Sequence, residues 1–148
     1  MPRHSTLIPL SHDHHEALLI ALRLKKGGPT SQNDRLWPTD LKQQVRSFLL
    51  FCERELLPHF KLEEEVLFPA ATILSELQPL IENLRSQHRE IRAEIGNISV
   101  ITDETDLKKR LVDFGVLLES HVRTEERKLF PVLEEAESKG RIALPYLK

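Results

Sequence analysis

The chain has 148 residues, 40% hydrophobic and 30% charged, with a formal net charge of -2, which is the composition of a soluble globular chain with length for one domain and a real core. Near-neutral charge without a Lys and Arg cluster excludes an electrostatic case for nucleic acid or a membrane surface, and no apolar run suits a signal peptide or a bilayer span. The single Cys52 cannot close an internal disulfide or build a thiolate zinc site, so a reducing, cytoplasmic setting is expected. Gly and Pro punctuate four apolar-periodic segments. The first predicted helix runs from about Ser11 to Lys26 and ends at Gly27-Gly28-Pro29. In the polar loop TSQNDRLWP that follows, Trp37 is expected to cover the bundle end. Thr39 is the predicted N-cap of a second helix that runs to about Phe68, is kinked or divided by Pro58 and stops at Pro69. A third helix is predicted from about Ser75 to Ile98, with Ser75 and Gln78 at capping-box spacing. The fourth starts near Asp103 and reaches about Phe130, with Pro131 marking a bend before a further turn or two to Ser138. The prediction is an all-α, antiparallel up-down-up-down four-helix bundle, one domain over residues 1–148.

One frame occurs twice. HFKLEEEVLFP, His59 to Pro69, and HVRTEERKLFP, His121 to Pro131, both read H-x-x-x-E-E-x-x-L-F-P. Each copy lies in line with an inward apolar stripe, whose positions recur at alternating steps of three and four. In helix four the series is Leu107, Leu111, Phe114, Leu118, His121, Glu125. In helix two Leu41, Val45, Phe48 and Cys52 lead to His59, Glu63 and Val66. In helix three one member of Leu77, Ile81, Leu84, His88, Ile91, Ile95, Ile98 is a histidine. Three helices thus direct a His inward, and two add a Glu one turn later on the same face. Interior carboxylates are costly unless paired or bound to a metal. Glu64, Glu65 and Glu126 fall about 100° off the stripe or further, and with Glu134 and Glu135 are expected on a solvated face or behind the ligands. Phe51 and Cys52 are expected in the core, and His4 at a solvated terminus. Helix one offers His12, His14 and His15 in LSHDHHEALL, and periodicity does not choose among them.

In this order and spacing the residues resemble the hemerythrin-like HHE cation-binding domains. Those have a His near the start of helix one, H-x-x-x-E in helix two, a His in helix three and H-x-x-x-E in helix four. The resemblance covers nearly the whole chain. It implies two iron ions, with manganese or zinc as substitutes, held by His14, His59, Glu63, His88, His121 and Glu125. Glu63 and Glu125 would bridge the metals. His14 is preferred because Leu10-x-x-x-His14 aligns best with the family's opening. Oxygen-carrying hemerythrins have a second His one turn after the helix-three His, where this chain has Arg92. Their last carboxylate would correspond to Glu126, whereas stripe and repeat favour Glu125. One protein ligand fewer argues against reversible oxygen transport and for an open position that takes oxygen, nitric oxide, peroxide or water.

Imidazole and carboxylate ligands without thiolate suit iron. The leading expectation is a non-haem di-iron protein that binds, senses or handles oxygen, nitric oxide, peroxide or iron. A di-iron enzyme consuming peroxide or nitric oxide is the alternative on the same site. A histidine-phosphotransfer or docking bundle is the alternative of another class. It needs an exposed His followed by Lys and Gly, whereas His88 precedes Arg89 and Glu90.

Overall fold

A computed structural model describes residues 3–145. Among these residues there are four helices and no strand. Helix α1 spans Ile8–Lys26. It starts three residues before the predicted Ser11 because Pro9 fits its first turn, where no N–H is required. Gly27 ends it at φ 80°, with its N–H on the Arg23 carbonyl. The connection that follows is packed, with Arg23 donating to both oxygens of Asp34 at 2.7 and 3.0 Å. Its guanidinium also lies over Trp37, which closes this end of the bundle at 4% exposure.

Helix α2 covers residues 41–71 and is capped by Asp40, not the predicted Thr39: the Asp40 carboxylate accepts from the Gln43 N–H at 3.1 Å. Neither Pro58 nor Pro69 ends it. The α-helical pieces Leu41–Phe51, Leu57–Leu62 and Phe68–Ala71 are joined by π-helical turns at Cys52–Leu56 and Glu63–Leu67. A proline lacks an N–H and presses on the carbonyl four residues back. Here the residue before each proline bonds five residues back instead: Leu57 to Cys52 and Phe68 to Glu63. The widened turn seats the ring at the start of the next α-helical piece, and the helix continues.

A 3₁₀ turn at Ser75–Leu77 leads into α3, Gln78–Val100. Ser75 makes no capping box there, and Gln78 bonds back to the Thr72 carbonyl instead. Helix α4 covers residues 104–138, begins at an Asp103 cap and contains a third π turn at Glu125–Leu129, one residue before Phe130-Pro131.

Cross-helix pairs give the register. Ser11 meets Glu126 and Lys25 meets Glu119, so α1 and α4 are antiparallel. Asp13 with His59, and Gln44 with Gly27, set α1 against α2 in the same sense. Glu64 with Arg92, and Phe68 one turn further on with Arg85, set α2 against α3 in the same sense. Glu94 with Arg110 and Gln87 with His121 do so for α3 and α4. The apolar core forms two separate clusters, one around Phe48, Phe60, Phe114 and Trp37, the other around Phe68, Phe130, Leu10 and Leu84. The polar layer described next lies between them.

Candidate metal centre

His14, His59, Glu63, His88, His121 and Glu125 all sit in that layer, each buried, and both glutamates are 0% exposed. They form two overlapping donor sets. His14, His59, Glu63 and Glu125 make one; Glu63, His88, His121 and Glu125 make the other. Within each set one ligand atom per residue lies within 4.8 Å of the others. His59 Nε2 is 3.4 Å and His88 Nε2 3.2 Å from Glu63 Oε1. Glu125 takes the other two histidines, with Oε2 3.3 Å from His14 Nε2 and Oε1 2.6 Å from His121 Nε2. His12 and His15 are exposed whereas His14 is buried, and Glu125 rather than Glu126 points inward.

The outer nitrogens form a closed ring of hydrogen bonds around the bundle. Asp13 of α1 accepts from His59 Nδ1 of α2 at 2.9 Å. Glu64 of α2 accepts from His88 Nδ1 of α3 at 2.6 Å. Gln87 of α3 accepts from His121 Nδ1 of α4, and Glu126 of α4 from His14 Nδ1 of α1, both at 2.6 Å. Each helix therefore orients the histidine of the next. Two of the acceptors are themselves held. Arg92 donates to both Glu64 oxygens at 2.6 and 2.9 Å, while Arg3 and Ser11 donate to Glu126 at 3.0 and 2.8 Å. Phe60 stacks on His88 with centroids 3.8 Å apart, and Phe130 stacks on His14 at 5.4 Å.

This ring fixes the chemistry of the interior. A carboxylate only accepts, so the Nδ1 of His14, His59 and His88 carries the hydrogen. In a neutral imidazole the inward Nε2 is then a bare lone pair, facing carboxylate oxygens that are lone pairs too. His14 Nε2 and all four oxygens of Glu63 and Glu125 are buried without a hydrogen-bond partner. Such a layer requires positive charge. Protons supply some of it. Burial opposes a charge on His14, yet Glu125 and Glu126 outweigh it and raise its pKa to about 9. His88 is likewise raised to about 9, against burial, by Glu125 and Glu63. Burial holds His121 below its ordinary value despite Glu125. Burial, then the Glu125 charge, pushes Glu63 well above the carboxylate range. Glu125 is kept low against the cost of burial by His121. A cation held by four such donors satisfies the same lone pairs without sharing protons, and two imidazoles with two carboxylates suit iron, manganese or zinc.

The sequence did not single out Asp13 and Gln87. Each directly precedes an inward histidine, Asp13-His14 and Gln87-His88, and that adjacency was the available signal. Glu64 and Glu126 are not a solvated face, since each orients a histidine from a neighbouring helix. Glu65 and Glu135 do face solvent. Glu134 instead anchors Arg3 and the His4 N–H, and His4 bonds Glu137 at 2.7 Å, so the expectation of a solvated His4 is also corrected. Cys52 is buried as expected, and Phe51 packs part-buried against the core.

Fold and centre together define a helical bundle built to hold cations in a desolvated His and Glu layer. A sequence model of the hemerythrin HHE cation binding domain matches residues 6–133, and the chain belongs to that family. Comparisons with curated proteins and with solved structures found no match.

Proposed function

We propose that the chain is a non-haem di-iron protein that binds a small ligand such as oxygen, nitric oxide or peroxide. The observation that carries this reading is the overlap of the two donor sets at Glu63 and Glu125. Two carboxylates common to two pairs of histidines are what a bridged pair of ions needs, and a single ion would leave one pair unused. In this reading His14 and His59 would hold one iron and His88 and His121 the other, with Glu63 and Glu125 common to both positions. Manganese or zinc would fit the same donors. When bound, the irons supply redox chemistry and positions for a small ligand.

The remaining residues bear on access and exclusion. A cavity of about 20 Å³ opens against His14, His59 and His121, with Ala17, Leu56 and Phe60 in its wall, room for about one water-sized molecule. The two apolar clusters close the layer above and below. Arg92 stands where oxygen-carrying hemerythrins have a further His, and it is engaged outward with Glu64. Each position thus has two imidazoles and two shared carboxylates. A small ligand would supply further donors to an iron held there. The phosphotransfer alternative loses ground because His88 is 0% exposed, whereas a phosphoacceptor must reach a partner's site.

Metal analysis by mass spectrometry on protein made in iron-replete medium tests this. About two irons per chain are expected, with nitric oxide perturbing their absorption spectrum. His59→Ala and His121→Ala should lose metal and thermal stability together, because binding free energy is also folding free energy. Folded wild-type protein with no more than traces of metal would sink the reading.

A further inference from the structure

The hydrogen-bonded ring is not symmetric in charge, and the inference drawn from it rests on the two-metal reading above. Behind His14 stands Glu126, which is paired with Arg3; behind His88 stands Glu64, which is paired with Arg92. These two supports match in kind, each a carboxylate paired with a guanidinium, although Arg3 is shared with Glu134 whereas Arg92 holds both oxygens of Glu64. The other two do not. His59 is backed by the Asp13 carboxylate, which among the described residues contacts no Lys or Arg. His121 is backed by the neutral amide of Gln87. The His14 and His59 side is therefore the more negative in its outer ring, with Asp13 unpaired and Arg3 shared by two carboxylates, whereas on the His88 and His121 side Glu64 has Arg92 to itself and Gln87 is neutral. Charges further out do not reverse this: Arg54 and Lys61 near His59 are balanced in number by Glu55 and Glu65. The small cavity also opens on the Asp13 side, with Glu16 and Glu55 at its border.

We propose that the two metal positions are unequal and fill in order, the His14 and His59 position first, with the Asp13 carboxylate against the Gln87 amide setting that order. A carboxylate on Nδ1 makes the imidazole a stronger donor through Nε2 and adds attraction for a cation. An amide orients the ring equally well without adding charge. Asp13 is a positioning residue, since it acts through His59. Its side chain is 43% exposed, so solvent screens part of the effect. Outer partners of this kind change metal affinity by roughly 10- to 100-fold, and a value near the lower end is expected.

Zinc is a suitable probe because it has no redox chemistry. Metal-free protein titrated with zinc in a calorimeter should bind in two steps. At one equivalent, anomalous scattering from a crystal should place the ion between His14 and His59. Asp13→Asn keeps the hydrogen bond and removes the charge, so it should weaken the first step roughly 10-fold and leave the second nearly unchanged. Gln87→Glu should tighten the second step and bring the two together. The Gln87 variant decides the matter if Asp13→Asn does not fold. Equal occupancy at one equivalent, or preference for His88 and His121, overturns the ordering while leaving a two-metal centre intact. Wild-type steps unchanged in the variants would do the same. Fewer than two zincs per wild-type chain would instead overturn the two-metal reading, and the ordering with it.

Discussion

His14 and His88 show how a single residue's environment becomes a property of the fold. In metal-free protein both hold a proton up to about pH 9, against an ordinary value of 6.5. Between those values the folded state binds more protons than the unfolded chain. By linkage its stability is greatest below 6.5 and falls as pH rises to about 9. Glu63, also raised, acts with the same sign from its ordinary 4.5 upward. His121 and Glu125 are lowered and act with the opposite sign, but their windows lie below 6.5 and 4.5. One pKa unit is about 1.4 kcal/mol, and 1 kcal/mol moves the midpoint by about 2–4 °C at this length. The melting midpoint of metal-free protein should thus fall by more than about 5 °C from pH 6.5 to 9. Metal-loaded protein should not follow, because the ions displace those protons. A flat curve for the metal-free form would mean that the carboxylates do not hold protons on these histidines. The inward His and Glu of α2, α3 and α4 were legible because each breaks an apolar stripe. Asp13 and Gln87 were not, because an Asp or Gln on the outer half of a helix reads as solvated. Only the neighbouring helix turns it inward.

At the scale of the helices, Gly115 separates propensity from packing. A Cβ there would stand 2.8 Å from the Ala21 carbonyl oxygen and 2.9 Å from Lys25 Cγ. The side chain of Lys25 can move aside, but the backbone of α1 cannot without shifting the helix. Propensity alone would have Gly115→Ala stabilise α4 by about 1 kcal/mol. Overpacking a close contact costs about 1–3 kcal/mol, and a carbonyl at this distance argues for the upper half. The net expectation is a loss of roughly 1–2 kcal/mol, seen as a fall of about 3–6 °C in the melting midpoint. A rise would show that α1 and α4 separate freely at this crossing. The helices themselves were readable from apolar periodicity and from Gly27, but the π turns were not. A proline inside a periodic segment reads as a stop, and Pro58, Pro69 and Pro131 are instead each preceded by a turn one residue wider. Two of these turns begin at Glu63 and Glu125. A turn closed five residues apart lets both the fourth and fifth residue lie beneath the first. That accounts for Leu67 with Phe68, and Leu129 with Phe130, all being fully buried. The doubled frame therefore encodes an inward histidine, an inward glutamate, an orienting carboxylate for the next helix and an apolar pair that closes the layer.

Across the whole molecule, the polar layer divides the core and every helix contributes to it. α1 and α3 each supply one inward histidine, while α2 and α4 each supply a histidine and a glutamate. The two apolar clusters are separate and lie on either side of that layer. Cations held there as proposed would join all four helices, whereas without them the layer is a set of buried lone pairs and shared protons. A ligand at 100 times its dissociation constant stabilises the folded state by about 2.7 kcal/mol, or roughly 5–10 °C here. Removing the proposed iron with a chelator should lower the midpoint by at least that much. Hydrogen exchange should show where the loss falls. Because the proposed ligands sit mid-helix on all four elements, amides around His14, His59, His88 and His121 should lose protection together, and Phe48 in one cluster should respond as Leu84 does in the other. Loss confined to α2 and α4, the helices that carry the doubled frame, would mean that those two hold the metal alone. His14 and His88 would then be hydrogen-bonded core residues, because a ligand on every helix couples all four to the same ions.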